Sequence, residues 1–198
     1  MNSADRIKGK YDRLAQFYDY LLGVQCFGRA RRRQFELANI EPDHRVLIAG
    51  VGTGLDIPYL PQCREIVGVD ISRAMLARAE RRAAGKNVSL YEMDMHNLQF
   101  ASQYFDIAIV NLVLSIVVDP HQVLAEVSRT LKVPGHIWIL HRGRQAGLLR
   151  EMLNVLSVGA LGISVTRPID ELIEDLPLYK MTEERICMID IIELVPTT

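Results

Sequence analysis

Paired cysteines are missing from this sequence. Cys26, Cys63 and Cys187 are scattered and odd in number among 198 residues. Without a C-x-x-C pair, neither a disulfide framework nor a zinc site is expected, and such usage suits a reducing cytoplasm. A long hydrophobic run is missing too. The longest apolar stretches, Ile107–Val118 and Met152–Val165, are too short or too broken by Asn, Ser and Gly for a membrane span of about 20 residues. The amino terminus is polar, with no apolar leader segment. No charge sign dominates: the net charge is -1, which argues against a general nucleic-acid binder. No repeat, no metal-ligand cluster and no Ser–His–Asp motif stands out, so one compact domain over residues 1–198 is the simplest reading.

What charge there is lies unevenly. Residues 1–33 carry eight basic residues against three acids, and residues 168–198 carry eight acids against two bases. Arg29, Arg31, Arg32 and Arg33 crowd together in the basic arm. Such an arm suits peripheral contact with anionic lipid, at the inner face of a membrane, or a solvated helix face.

Hydrophobic periodicity alternates between strand and helix. Leu14, Phe17, Tyr18 and Leu21 predict a helix over Arg6–Leu22, and a second runs through Arg29–Ala38. Together these make an N-terminal helical arm over residues 1–40. Short apolar strands follow at Arg45–Ala49, Glu65–Val69, Val88–Met93, Phe105–Leu114 and His136–His141. Helices are predicted between them at Arg73–Ala84, with Ser72 as its N-cap, and at Pro120–Leu131. Pro134-Gly135 reads as a turn. This alternation predicts an α/β, doubly wound, mostly parallel Rossmann-like sheet. Arg185–Val195 reads as a final antiparallel strand or hairpin. The apolar segment Gln145–Val165 lies within an expected insertion over residues 144–182.

Three features fall at the carboxyl ends of successive strands, where an open α/β sheet binds its ligand. Gly50-Val51-Gly52-Thr53-Gly54 lets the backbone turn sharply and approach a ligand. Asp70 can accept hydrogen bonds from two ribose hydroxyls. Asp94 can accept from an adenine amino group, with Met93 and Met95 against the ring. Either a dinucleotide or an adenosine sulfonium would suit these features. The dinucleotide fingerprint is G-x-G-x-x-G; here the third glycine comes one residue early, at Gly54, and Leu55 stands in its place. That favours the sulfonium.

These residues resemble the class I S-adenosylmethionine-dependent methyltransferases. The match runs from Tyr11 to about His141 and includes Val67-Gly68-Val69-Asp70-Ile71-Ser72, Ala74-Met75-Leu76, Asp94-Met95-His96-Asn97-Leu98, Phe105-Asp106-Ile107-Ala108 and Lys132-Val133-Pro134-Gly135. The resemblance implies binding of S-adenosylmethionine, with S-adenosylhomocysteine as product. The loop Gly50–Gly54 would cradle its methionine part, Asp70 the ribose and Asp94 the adenine. Tyr11, Tyr18, Ile71, Met75, Asn111 and Leu112 would complete the site. The family usually has an acid two residues before the first glycine. Here that position is Ile48, which shifts the role to Asp56 or permits a non-catalytic protein of the same fold.

The opening Tyr11–Asp19 is similar to two groups, the bacterial phosphatidylethanolamine N-methyltransferases and the quinone-biosynthesis C-methyltransferases. Leu114-Ser115-Ile116-Val117-Val118-Asp119-Pro120 is closer to the phospholipid group. The resemblance implies a lipid or small-molecule acceptor, here the amine of a phospholipid headgroup, with a quinone or another small soluble acceptor as the alternative. Tyr18 and His141 are the candidates for catalytic contact with it.

Overall fold

The computed structural model describes residues 25–142, 168–187 and 189–197. The helix expected over Arg6–Leu22, with Tyr11 and Tyr18, lies outside them, as does the apolar segment Gln145–Val165.

Seven strands form one sheet in the order β3-β2-β1-β4-β5-β7-β6. The strands are β1 (Arg45–Ala49), β2 (Glu65–Asp70), β3 (Val88–Glu92), β4 (Phe105–Asn111), β5 (Leu131–Arg142), β6 (Leu178–Ile186) and β7 (Ile189–Pro196). β1 pairs in parallel with β2 and β4, β2 with β3, and β4 with β5. β7 runs antiparallel between β5 and β6. The expected doubly wound sheet with an antiparallel C-terminal hairpin is therefore what forms.

Period-two alternation within buried strands sorts the core into two layers. Ala108, Val110, Ile137 and Ile139 face one side and pack with Val123, Leu124 and Val127 of α3 (Pro120–Thr130) and Ile169 and Leu172 of α4 (Ile169–Ile173). Ile48, Ile107, Ile109 and Trp138 face the other and pack with Ala30, Phe35 and Ala38 of α1 (Gln25–Ala38) and Leu76 and Ala79 of α2 (Arg73–Ala83). Each fully buried Val, Leu or Ile among them contributes roughly 1.5–3 kcal/mol of transfer free energy.

Caps fix where the helices begin. Ser72 Oγ accepts from the Met75 backbone N–H at 3.2 Å, and Asp119 Oδ1 accepts from Gln122 N–H at 3.0 Å with Pro120 starting α3.

The larger boundary differences from the sequence reading are these. β4 stops at Asn111 rather than Leu114, because Leu112 takes a left-handed φ of 60° and turns the chain out of the sheet. Pro134-Gly135 lies inside β5 rather than in a turn before it. The β4–β5 register shifts between Phe105 and Ile107, and a Cβ on Gly135 would meet the Lys132 carbonyl at 2.6 Å, so the irregularity is built into the strand. The last five residues of the expected 144–182 insertion, from Leu178, are the start of β6. That strand is at the sheet edge, where charged, exposed side chains such as Glu183 replace an apolar pattern. Finally, α1 begins at Gln25 and runs through Gly28 instead of starting after it. No helix among the described residues is long and apolar enough to cross a membrane.

Candidate functional site

The strand order reverses at β1, which has β2 on one side and β4 on the other. The carboxyl ends of these strands diverge there, leaving a crevice. The chain leaves β1 through Gly50, Gly52 and Gly54, at φ 76°, 53° and 83°. Their side-chain hydrogens have different reasons. A Cβ on Gly50 would stand 2.8 Å from Val113 Cγ2, and one on Gly54 would stand 2.9 Å from Ile57 Cδ1 and 3.0 Å from Ala79 Cα. Gly54 thus faces α2 and lets it pack closely. Around Gly52, no described residue other than its chain neighbours comes nearer to an added Cβ than the Gly50 carbonyl at 4.0 Å. Among the described residues, the space at Gly52 leaves room for a ligand against bare backbone.

Asp70 holds this loop. Its Oδ2 accepts from Gly52 N–H at 2.8 Å and its Oδ1 from Ser72 N–H at 2.9 Å. The carboxylate at the end of β2 therefore fixes both the glycine turn and the start of α2.

Two adjoining cavities open here. The larger has about 520 Å³ of empty space, part of it open to solvent. Gly50, Gly52, Asp70, Ile71, Met75 and Met95 line one side of it. Asn111, Leu112, Val113, Ile116 and Val117 line the other. The smaller, of about 300 Å³, lies between Gly50–Thr53 and Arg31, Leu55 and Asp56, and shares Asn111 and Leu112 with the larger. Of the residues singled out from sequence for the cofactor, Gly54, Met93 and Asp94 line neither. Asp94 stands just beyond Met95, and both of its bonds fall on one oxygen. Oδ1 accepts from the His96 backbone N–H at 3.0 Å and meets His96 Nδ1 at 2.6 Å.

Asn111 touches both cavities, but its amide is committed. It exchanges two 2.8 Å hydrogen bonds with Gln34 of α1, and its Oδ1 also accepts from Leu140 N–H at 2.9 Å. Its role is to tie α1 to the end of β4. His141 is buried at the end of β5 and lines neither described cavity; Tyr18 lies outside the described residues.

Arg31 was read as one of four basic surface residues. Instead it is 5% exposed, and its Nε donates to Asp56 Oδ1 at 2.7 Å. Arg33 pairs with Glu184 of β6 at 3.0 Å. Only Arg29 and Arg32 of the four are exposed. The signal was in the sequence: Arg31 shares the helical spacing of Gln34, Phe35 and Ala38, which marks the buried face of α1. Gln34, Val113, Ile116 and Val117 were likewise not singled out as site residues. One further grouping, Glu41, Asp43 and His44, gathers on the turn before β1. There His44 Nδ1 accepts from Glu41 N–H at 3.1 Å, which explains the turn without an ion.

Comparison with known proteins agrees with this geometry. A family model described as a methyltransferase domain matches residues 47–139. A phosphatidylethanolamine N-methyltransferase of Cereibacter sphaeroides is 31% identical over 158 residues, covering 77% of this chain and 76% of that protein. A ubiquinone/menaquinone biosynthesis C-methyltransferase of Desulfotalea psychrophila is 34% identical over 137 residues, but the chain spans only 55% of its length. Among solved structures, a putative methyltransferase of Haloferax volcanii, in complex with a methyltransferase activator, superposes with a TM-score of 0.81. It covers 95% of this chain and 98% of its own at 16% identity. A Thermotoga maritima methyltransferase gives 0.73 at 19% identity, over 96% of this chain and 99% of its own. At such identities these structures show the fold alone.

Proposed function

The chain belongs to the S-adenosylmethionine-dependent methyltransferases, and from that premise we propose that it methylates the amine of a phospholipid headgroup. The observation that carries this reading is the extent of the phosphatidylethanolamine N-methyltransferase match. It covers three quarters of both proteins, 77% and 76%. The first quinone relative shares more identity, 34%, over only 55% of its own length. That higher identity keeps a quinone ring as the second reading.

The described residues fit the cofactor. The bare backbone at Gly52 leaves a cradle in which no described residue beyond its chain neighbours comes nearer than 4.0 Å to an added Cβ. Asp70 would accept from the ribose hydroxyls while its oxygens keep the loop in place. Met75 and Met95 would pack against the adenine, and Asp94 would accept from its amino group through Oδ2, the oxygen that His96 does not use. When bound, S-adenosylmethionine supplies an electrophilic methyl group on a sulfonium.

What the chain itself must do is align the acceptor and keep water out. Val113, Ile116 and Val117 make the wall of the larger cavity apolar, and the last two are half-buried at its edge. A greasy acceptor suits that wall. The amine must arrive neutral to attack, so turnover rises with pH toward the amine's pKa. Arg29 and Arg32 would support weak attachment to an anionic surface, each contributing about 1 kcal/mol near it.

Incubation of the full chain with S-adenosylmethionine and phosphatidylethanolamine vesicles tests the proposal, followed by mass spectrometry of the lipid. Mono-, di- or trimethylated headgroups are expected. Methyl found on the ring carbon of a demethylated quinol, with headgroups unchanged, moves the assignment to the quinone. Unchanged lipid and quinol, from protein that binds S-adenosylhomocysteine, points to a small soluble acceptor.

A further inference from the structure

The loop after β3 carries Asp94, and the segment that leads into α3 carries the apolar wall of the larger cavity; one side chain joins the two. His96 Nδ1 meets Asp94 Oδ1 at 2.6 Å, and its Nε2 accepts from the Asp119 backbone N–H at 3.3 Å. A backbone N–H can only donate, so Nε2 carries no hydrogen. The neutral ring then has its proton on Nδ1 and donates it to the carboxylate. Both nitrogens of a ring only 20% exposed are thus committed, each to a different side of the cavity. Met95, between Asp94 and His96, lines one side; Val113, Ile116 and Val117, just ahead of Asp119, line the other.

Resting on the cofactor reading above, we propose that His96 is a positioning residue whose neutral ring passes the hold of bound cofactor on Asp94 to the wall that receives the acceptor. Docking the loop on α3 does not need the ring. Gln122 Nε2 donates to the His96 carbonyl at 2.9 Å, Glu126 Oε2 accepts from Leu98 N–H at 2.9 Å, and Arg129 Nη2 donates to the Leu98 carbonyl at 2.8 Å. What the ring adds is a link between a carboxylate on the cofactor side and the backbone at the end of the wall segment. The Asp94 side chain is 44% exposed, and both of its hydrogen bonds among the described residues fall on Oδ1. A ligand donor on Oδ2 would fix the carboxylate, and through it the orientation of the ring and the Asp119 N–H.

The link depends on charge. A second proton turns Nε2 into a donor facing the Asp119 N–H, so that bond is lost while the pair with Asp94 persists. The charged groups that α3 brings to this loop are already engaged: Asp119 Oδ1 caps Gln122 N–H, and Glu126 pairs with Arg129. Acid therefore uncouples the wall and leaves the cofactor acid in place. Coupling is reciprocal, so an acceptor seated against the wall tightens the cofactor in turn.

Amide hydrogen exchange and nitrogen NMR on the full chain, with and without S-adenosylhomocysteine, test this. In the wild type at about pH 7.5, the ring proton of His96 should sit on Nδ1, and the ligand should slow exchange of the Asp119 amide about fivefold or more. The ratio with and without ligand, taken at each pH, cancels the ordinary pH dependence of exchange. At about pH 5, with ligand still bound, that ratio should fall to about one, because a histidine ring ordinarily gains its charge between about pH 8 and 5. His96→Phe keeps a ring and lacks both nitrogens; it should bind the ligand and show no slowing at either pH. His96→Gln, with a donor and an acceptor, should recover part of the slowing. This variant and the wild-type pH comparison serve if His96→Phe does not fold. A ring protonated on Nε2, an undiminished ratio at low pH or in His96→Phe, or no slowing in wild type that binds the ligand overturns the proposal. A wild type that binds no S-adenosylhomocysteine defeats the cofactor reading, and the proposal with it.

Discussion

At the carboxyl ends of β1, β2 and β4, polar side chains form their bonds in the walls of cavities; between β5, β7 and β6, they form them away from the described cavities. On the first side Asp70 binds the backbone of Gly52 and Ser72, Gln34 binds Asn111, and Arg31 binds Asp56. On the second, Glu193 of β7 joins His136 of β5 at 2.8 Å and Thr182 of β6 at 3.1 Å, a row across three strands. Arg185 and Asp190 pair directly across β6 and β7, and Lys180 bonds Asp170 and Glu183. Cross-strand pairs such as Glu193–His136 and Arg185–Asp190 stabilise an antiparallel edge without shaping space for a ligand. The lesson is that a buried polar residue suggests a site when its bonds lie in the wall of a cavity, and suggests architecture when they link strands away from one.

Two glycine substitutions press hardest on this difference. Gly50→Ala adds a Cβ 2.8 Å from Val113 Cγ2 at a φ of 76°. Left-handed strain and overpacking together should lower folding stability by about 2–4 kcal/mol. Among the described residues Gly52→Ala has room, so the φ strain applies, about 1–2 kcal/mol. Its methyl group would stand in the cradle, however, and S-adenosylhomocysteine affinity should collapse in a protein that still folds. Chemical denaturation and calorimetry on the pair separate the effects. Undiminished affinity in Gly52→Ala would show that the loop does not face the ligand.

A second pair of variants crosses the two halves. Asp70→Ala should weaken S-adenosylhomocysteine binding by about 1.5–3 kcal/mol, as for hydrogen bonds with a charged partner. Glu193→Ala should lower stability by about 1–2 kcal/mol through its lost bonds to His136 and Thr182 and leave affinity unchanged. If Glu193→Ala also weakens binding, the division between the halves fails.

Much of the parallel half was legible in the sequence because its signals are local. Gly50–Gly54 after an apolar strand, Asp70 at the end of the next, and Ser72 ahead of a helix each need only a few residues of context. The sheet order around β1 follows from strand–helix alternation and right-handed crossovers. What escaped depends on contacts far apart in the chain. Arg31 reads as surface charge until Asp56, 25 positions away, is seen beside it. Asn111 reads as ligand-facing until Gln34, 77 positions away, takes its amide. The first part of the edge strand β6, from Leu178 to Glu184, escaped because exposed charges erase the period-two pattern that marks a strand.

The smallest expected effect separates the two ends of a single strand. Asn111 closes β4 at the cavities; Asp106 sits near its other end, where it accepts from Arg45 N–H at 2.8 Å and pairs with Lys132. Burial pushes the Asp106 carboxyl up, but the Lys132 hydrogen bond, the Arg45 N–H and the Lys132 charge together hold it below the ordinary value of 3.8. A carboxylate whose folded pKa is depressed adds stability above its unfolded pKa, and that stability is lost as pH falls through the folded value. Asp106→Asn should therefore destabilise the protein at pH 7, by no more than about 1 kcal/mol because the pair is partly exposed. The difference from wild type should shrink as pH falls below 3.8, the ordinary value. Denaturation midpoints at pH 7, 4 and 3 read this directly. Because Asp106 lines neither cavity, S-adenosylhomocysteine affinity at pH 7 should be unchanged. A stability difference that stays constant down to pH 3 would mean that Lys132 and Arg45 do not hold the Asp106 carboxylate in its charged form.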